Sequence, residues 1–130
     1  MKNKIVVLSG GVGGARFLEG LIHVVAQKEV VVIGNTGDDE TFYNLHVSPD
    51  LDSVMYTLSG MENVKQGWGL KDETYNTMHQ LTKLGNQQWF QLGDRDLATH
   101  IHRTARLYHG KTLSEVTNEL MEILDRKSVV

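Results

Sequence analysis

Cysteine is absent from this chain. Its absence excludes disulfides, thiolate metal centres and a cysteine nucleophile, and agrees with a reducing compartment, so the cytoplasm is the expected location. A basic excess is missing too: 13 Lys and Arg stand against 16 Asp and Glu, a net charge of -3, with the two signs interspersed. Without a positive run there is no electrostatic footprint for nucleic acid, and any nucleotide ligand is expected to be a small molecule. Long apolar stretches are also lacking. The first, Lys4 to Leu8, stops at Ser9-Gly10, too short for a signal-peptide core or a membrane span. With one proline, no low-complexity tract and no repeat, residues 1–130 read as one continuously folded domain, and 40% hydrophobic content suffices for a core.

Glycine, by contrast, is plentiful and clustered. Lys4 to Leu8 is a β-branched run expected as a strand buried on both faces, and it leads directly into Gly10-Gly11-Val12-Gly13-Gly14. From Ala15 to Gln27, Phe17, Leu18, Leu21, Ile22 and Val25 recur at helical spacing. Val30 to Ile33 is a second strand, so the first third predicts a parallel βαβ unit. Ser48-Pro49-Asp50 starts a helix with Leu51, Val54, Met55 and Leu58 on its apolar face and Gly60 at its end. Asp72 is expected to cap another through Leu84, with Gly85 as its stop, and Gln88 to Leu92 to be extended. A helix over Arg95 to Tyr108 ends at Gly110, and Thr112 with Glu115 forms a capping box for a last helix burying Val116, Leu120, Ile123 and Leu124.

The expected class is therefore α/β, a Rossmann-like parallel sheet with flanking helices. It is also expected to be shortened. The alternation calls for a further strand where the polypeptide stops at Ser128-Val129-Val130.

Ser9 to Arg16 lets backbone N–H groups approach a ligand without Cβ obstruction and aims a helix N-terminus at negative charge, which makes an anion cradle. The plainer alternative is a tight turn needing glycine for geometry alone. The run lacks the Lys-Ser/Thr of a Walker A loop and the third glycine of the dinucleotide fingerprint, which disfavours both common nucleotide classes, NAD-dependent oxidoreductases included. Asn35-Thr36-Gly37-Asp38-Asp39 follows the second strand at the same sheet edge, and carboxylates beside phosphates imply Mg²⁺, with Asp50 and Asp52 able to join. Each acid alone is equally a cap or a solvated turn. In Gly93-Asp94-Arg95-Asp96 the arginine can grip phosphate or an acidic substrate, or sit in a surface ion pair with Asp94 as a cap. His100 and His102 read as ordinary helix residues. Trp68, between Gly67 and Gly69, is either an exposed aromatic or a core residue at a bend.

Taken together, Ser9 to Phe17, Asn35 to Asp39, His46-Val-Ser-Pro-Asp-Leu-Asp52 with Tyr56, Gly67-Trp-Gly69 with Asp72-Glu73-Thr74, and Leu92 to His100 resemble the 2-phospho-L-lactate transferase family. Leu113 to Thr117 extends the likeness almost to the end of the chain. Family proteins are longer, so the chain looks like their N-terminal part. The resemblance implies coenzyme F-420 biosynthesis: a 2-phospho-L-lactyl or phosphoenolpyruvyl group passes from a guanosine diphosphate-linked donor to 7,8-didemethyl-8-hydroxy-5-deazariboflavin, with Mg²⁺, releasing GMP. On that footing Gly10, Gly11, Gly13 and Gly14 face the donor's diphosphate, Asp38, Asp39 and Asp52 bind Mg²⁺, and Arg95 and Asp52 hold the deazariboflavin acceptor. Asp52 is the catalytic candidate, with Asp39 and Asp50 also open as the general base. A membrane is not an expected partner; a second copy of the chain is. The competing reading is a truncated, non-catalytic nucleotide or nucleotide-sugar binding module.

Overall fold

The computed structural model describes residues 3–87 and 90–124. The alternating start of the sequence folds as expected: β1 (Ile5–Ser9), α1 (Gly11–Leu21) and β2 (Val30–Gly34), with the strands parallel and Ile5 opposite Val30 through to Ser9 opposite Gly34. Gly14 and Gly34 make this packing possible. A Cβ on Gly14 would stand 2.2 Å from Ser9 Oγ, and one on Gly34 2.4 Å from Leu51 Cδ2. Two boundaries move. The glycine run is not a loop ahead of the helix: Gly11 to Gly14 form the opening of α1, with Gly11 at φ 70°. The helix ends at Leu21, which leaves Val25 beyond it, and Phe17 is exposed.

The expectation of strands buried on both faces fails. Val7, Val30 and Val32 pack against Ala15, Leu18, Val54 and Leu58, where α1 meets the next helix, α2 (Pro49–Leu58). The opposite face carries Val6, Leu8, Val31 and Ile33, and Leu8 is 79% exposed. Strand alternation puts these four on one side, and none of the described residues covers it. A continuous apolar run promises two covers, and this structure supplies one.

Between β2 and α2 the chain makes a hairpin that the apolar pattern does not announce: β3 (Glu40–Phe42) and β4 (Leu45–Val47), antiparallel, joined by Tyr43 and Asn44 at φ 48° and 63°. Two consecutive left-handed residues give the twist that a two-residue hairpin requires, and asparagine tolerates that conformation well. After α2 come α3 (Asn76–Lys83), α4 (Asp94–Tyr108) and α5 (Leu113–Leu124), with Gly60, Gly85 and Gly110 at positive φ past α2, α3 and α4 as expected. Thr112 and Glu115 form the capping box: Glu115 Oε2 accepts from Thr112 N at 2.7 Å, and Thr112 Oγ1 from Glu115 N at 3.3 Å. Val116 and Leu120 are buried with Met55, Tyr56 and Leu70, whereas Ile123 is half exposed. A third cluster, Met78, Leu92 and Leu97, joins α3 to α4 beneath Phe42 and Leu45 of the hairpin. The extended segment expected over Gln88 to Leu92 falls partly outside the described residues, and its described remainder, Phe90 to Leu92, is not a strand.

Asp72 does not cap α3. It sits at φ 57°, and the cap comes from Asp94, whose carboxylate accepts from Asn76 N (3.0 Å), Thr77 N (2.9 Å) and Thr74 Oγ1 (2.6 Å). In return Glu73, just ahead of α3, accepts from Arg95 N (2.9 Å) and Asp96 N (3.0 Å) at the start of α4. The two helix starts are thus cross-capped. Gly93 is required between them because a Cβ there would fall 2.1 Å from the Glu73 carboxyl carbon. No described helix is long and apolar enough to cross a membrane.

Candidate active site

One cavity of about 250 Å³ gathers residues from four of the sequence motifs. Gly11 and Val12 of the glycine turn border it, as do Pro49, Asp50 and Asp52 at the start of α2, Trp68 and Gly69 of the Gly-Trp-Gly bend, and Gly93, Asp96 and His100 of α4. Trp68 (51% exposed), Tyr75 and Phe90 give it aromatic walls, and Phe90 stacks on Phe42 with ring centroids 4.9 Å apart.

At its glycine end, Gly10 is the N-cap of α1. No side chain caps this helix and no acid lies in its first turn, so its positive end and free N–H groups suit an anion. Gly13 has open space where a Cβ would be. Asn35 lies beside this turn: its amide N donates to Ser9 O at 2.8 Å, and a Cβ on Gly10 would come 3.6 Å from its Cβ. Asn35 Nδ2 also donates to Asp50 (2.8 Å) and Asp38 (3.3 Å), tying the acidic loop to the start of α2.

At the other end charge is buried. Asp52 forms a two-pronged ion pair with Arg103, Nη2 meeting Oδ1 and Nη1 lying 3.3 Å from Oδ2, and Arg103 has no exposed surface. Burial pushes the Asp52 carboxyl above its usual range, with Arg103 and then His100 pulling the other way. His100, 1% exposed, has Nδ1 3.2 Å from Arg103 Nη1 and Nε2 3.1 Å from Asp96 Oδ2. Tyr56 Oη donates to Asp96 Oδ1 at 2.6 Å and lies 2.8 Å from Thr99 Oγ1. Burial, followed by the charges of Asp52 and Asp96, holds the phenol far above its ordinary value, so it remains a donor. Burial raises Asp96, but His100, Tyr56 and Arg103 together outweigh that and leave it below the usual range.

Among the described residues, Asp52, Asp96 and His100 bring ligand atoms within 4.8 Å of one another, a buried group that could hold a metal ion. Two carboxylates suit a hard cation, since each oxygen can accept more than one partner; the imidazole suits Mg²⁺ less. Asp38 and Asp39 are not part of this group. Asp38 is exposed, while Asp39 Oδ2 accepts from His46 Nε2 and Ser48 Oγ, both at 2.8 Å. Asp39 Oδ1 is buried without a hydrogen-bond partner, an orphan that also fits a cation.

Of the predicted residues, Gly11, Asp50 and Asp52 therefore meet in one cavity. Arg95 does not line it. Its side chain is exposed at the start of α4, with Nη1 3.5 Å from Lys71 O. Asp94 is a cap, but of the neighbouring helix. His102, exposed on α4, is an ordinary helix residue as expected, whereas the buried His100 is not. Arg103 was missed altogether. The available signal was Asp96, His100 and Arg103 at four- and three-residue spacing, polar side chains on the buried face of a helix.

Comparison with known proteins shows the family. The family model described as 2-phospho-L-lactate transferase CofD matches residues 5–130. The phosphoenolpyruvate transferase of Streptomyces avermitilis is 53% identical over 120 residues, 92% of this chain and 38% of that protein. The corresponding protein of Thermobifida fusca is 52% identical over 128 residues, 92% of this chain and 40% of its own length, and that of Mycobacterium tuberculosis 44% over 133 residues, with the same coverage. The chain thus spans about two-fifths of the relatives it matches. It belongs to the CofD family.

Proposed function

We propose that this member of the CofD family carries the phosphate-facing and acceptor-facing part of a transferase site in coenzyme F-420 biosynthesis. The reaction is passage of a phosphoenolpyruvyl or 2-phospho-L-lactyl group from a guanosine diphosphate-linked donor to the hydroxyl of 7,8-didemethyl-8-hydroxy-5-deazariboflavin, with loss of GMP. The observation that carries this reading is the shared cavity, which joins an uncapped glycine-rich helix start to buried carboxylates across aromatic walls.

Each part suits one need of the chemistry. The backbone N–H groups at Gly10, Gly11, Gly13 and Gly14 receive the diphosphate, aided by the positive end of α1. Trp68 and Phe90 offer flat apolar surface to a deazaflavin ring. Asp52 takes the proton from the acceptor hydroxyl. Its raised pKa brings the carboxyl toward the range in which a general base works, while Arg103 fixes its orientation. Arg95, exposed at the start of α4 outside the cavity lining, is the proposed partner of the acceptor's polar tail. Asp38, Asp39 and Asp52 are the proposed Mg²⁺ ligands, with the orphan Asp39 oxygen and the Asp52–Asp96 pair in support. Bound Mg²⁺ would neutralise diphosphate charge and stabilise the leaving phosphate. The parallel pair β1 and β2 would open a Rossmann-like sheet within a single domain.

The test mixes this chain with the donor, the deazariboflavin and Mg²⁺, and follows GMP and coupled product by chromatography. Product formation that falls at least tenfold in Asp52→Asn is expected. Binding of GDP without binding of deazariboflavin and without product would replace this reading with a non-catalytic nucleotide-binding module.

A further inference from the structure

The cavity is lined by four carboxylates, Asp50, Asp52, Glu73 and Asp96, and by no lysine or arginine. Arg103, behind that wall, is committed to Asp52. A wall of this sign repels a diphosphate. Mg²⁺ would offset part of the charge, and the end of one helix is worth about half a unit more. A fixed cation is still wanting, and Arg16 is placed to supply it. It is exposed, and among the described residues it makes no hydrogen bond or ion pair. It follows Val12, a lining residue, by one helical turn on α1, so the two share a face, and a long helical side chain leans back over the turn before it. Its far end is fixed from the other side: Nη2 lies 2.8 Å from the point that a Cβ on Gly67 would occupy. Gly67 adjoins Trp68 and Gly69, both in the cavity wall. The guanidinium therefore stands where the glycine turn meets the Gly-Trp-Gly bend.

We infer that Arg16 is a substrate-binding residue whose guanidinium closes over the outer phosphate of a nucleoside diphosphate seated on the glycine turn. This role rests on the proposal that the turn holds the donor's diphosphate. The planar fork of an arginine matches two phosphate oxygens at once, and a side chain with no partner of its own is free to take them. Residue 67 is then glycine on two counts: its φ is 82°, and a Cβ would crowd the guanidinium out of its place. Gly13, one turn position beyond Val12, has open space where a Cβ would be, which leaves room for the phosphate between the helix start and Arg16. If the contact with Gly67 served only to prop the bend, mono- and diphosphates would feel its loss alike. An arginine that grips the outer phosphate tells them apart.

Calorimetry on the full chain with GDP and GMP as probes, each in the presence of Mg²⁺, tests it. Arg16→Gln should weaken GDP binding by about tenfold or more and leave GMP within about threefold of the parent, since only GDP has the outer phosphate. Arg16→Lys should fall between, because an ammonium keeps the charge and loses the fork. Both variants should melt with the parent, the side chain being exposed and without partners. GDP affinity unchanged in Arg16→Gln would overturn the role of Arg16 and leave the diphosphate at the glycine turn in place. Equal losses for GDP and GMP, or a lowered melt without a loss specific to GDP, would assign Arg16 to propping the bend and overturn the role as well. A parent chain that binds neither nucleotide would remove both Arg16 and the diphosphate from the turn.

Discussion

The two halves of this molecule break the usual rule of burial in opposite ways. Around β1 and β2, Val6, Leu8, Val31 and Ile33 face outward, apolar side chains where strands so rich in valine and isoleucine are normally covered. Between α2 and α4, Asp52, His100 and Arg103 face inward, an ion pair and an imidazole where helices normally place leucine. The costs differ in kind. Exposed apolar surface weakens solubility but strains no bond, whereas a buried charge without a partner costs several kcal/mol and survives only when paired in good geometry. The inward charges are therefore held by construction: Arg103 grips Asp52, and Tyr56 secures Asp96. An arrangement that costly at the wall of a cavity is the ground for proposing the chemistry there, and the open sheet face offers no such ground.

The contrast predicts its own largest breakage. Arg103→Met leaves the Asp52 charge buried alone and should destabilise the fold by about 3–5 kcal/mol in denaturant unfolding. Adding Asp52→Leu should recover much of that loss, because the cost lies in the unpaired charge and not in the missing cation. If the double variant is no more stable than the single one, the ion pair is contributing packing and not charge compensation.

Next in size is the glycine turn, where structure and ligand compete as explanations. Gly14→Ala would put a Cβ 2.2 Å from Ser9 Oγ and should cost about 1–3 kcal/mol through overpacking. Gly13→Ala meets nothing within 4 Å and lies inside α1, so it should hold or gain up to about 1 kcal/mol. Calorimetry with GDP completes the comparison. Weaker binding in Gly13→Ala at unchanged stability would assign that glycine to the ligand, and unchanged binding would leave it to helix geometry.

Tyr56→Phe is expected to cost less, about 1–2 kcal/mol, because it removes one donor from the largely buried Asp96 and leaves the ring packed beside Leu70 and Val116. Thermal melts read this directly. A neutral result would mean that water replaces the hydroxyl and that the Asp96 end of the cluster is wetter than the Asp52 end.

How much of this was legible before the structure follows the range of the physics. The β1–α1–β2 unit, the start of α2 at Pro49, the stops at Gly60, Gly85 and Gly110 and the Thr112–Glu115 box all depend on neighbours within a few residues, and each forms, although α1 takes in the glycine run and ends at Leu21 and its strands are covered on one face only. The hairpin from Glu40 to Val47 was missed because its strands are only three residues long and its one signal is Tyr43-Asn44 at the turn. The Asp72 cap was misread because its replacement, Asp94, comes from the start of another helix. The same holds for the site. Asp52 was readable as a motif residue, but its pairing with Arg103, 51 positions away, depends on how α2 meets α4. His100 was judged by its place on one helix, and its meaning comes from what that helix faces.

The smallest effect tests the cross-cap that holds α4 against the start of α3, and so sets the angle at which the charged face meets the cavity. Thr74 Oγ1, then the backbone N–H groups of Thr77 and Asn76, hold the Asp94 carboxyl well below its usual range. A carboxylate with a depressed folded pKa stabilises the protein fully above its unfolded value, here 3.8, and that contribution is lost as pH falls toward the folded value. Asp94→Asn should therefore lower the melting temperature modestly near neutral pH, and the gap from the parent chain should close as the pH is taken below 3.8. Comparing the pair cancels the other acids that titrate in the same window, including Asp96, Glu115 and Glu119, all likewise depressed. A gap independent of pH would mean that Asn loses shape and not charge at this position. If the gap closes while deazariboflavin binding at neutral pH is unchanged, the cross-cap orders the helices without tuning the cavity, and the placement of the charges rests on Arg103 alone.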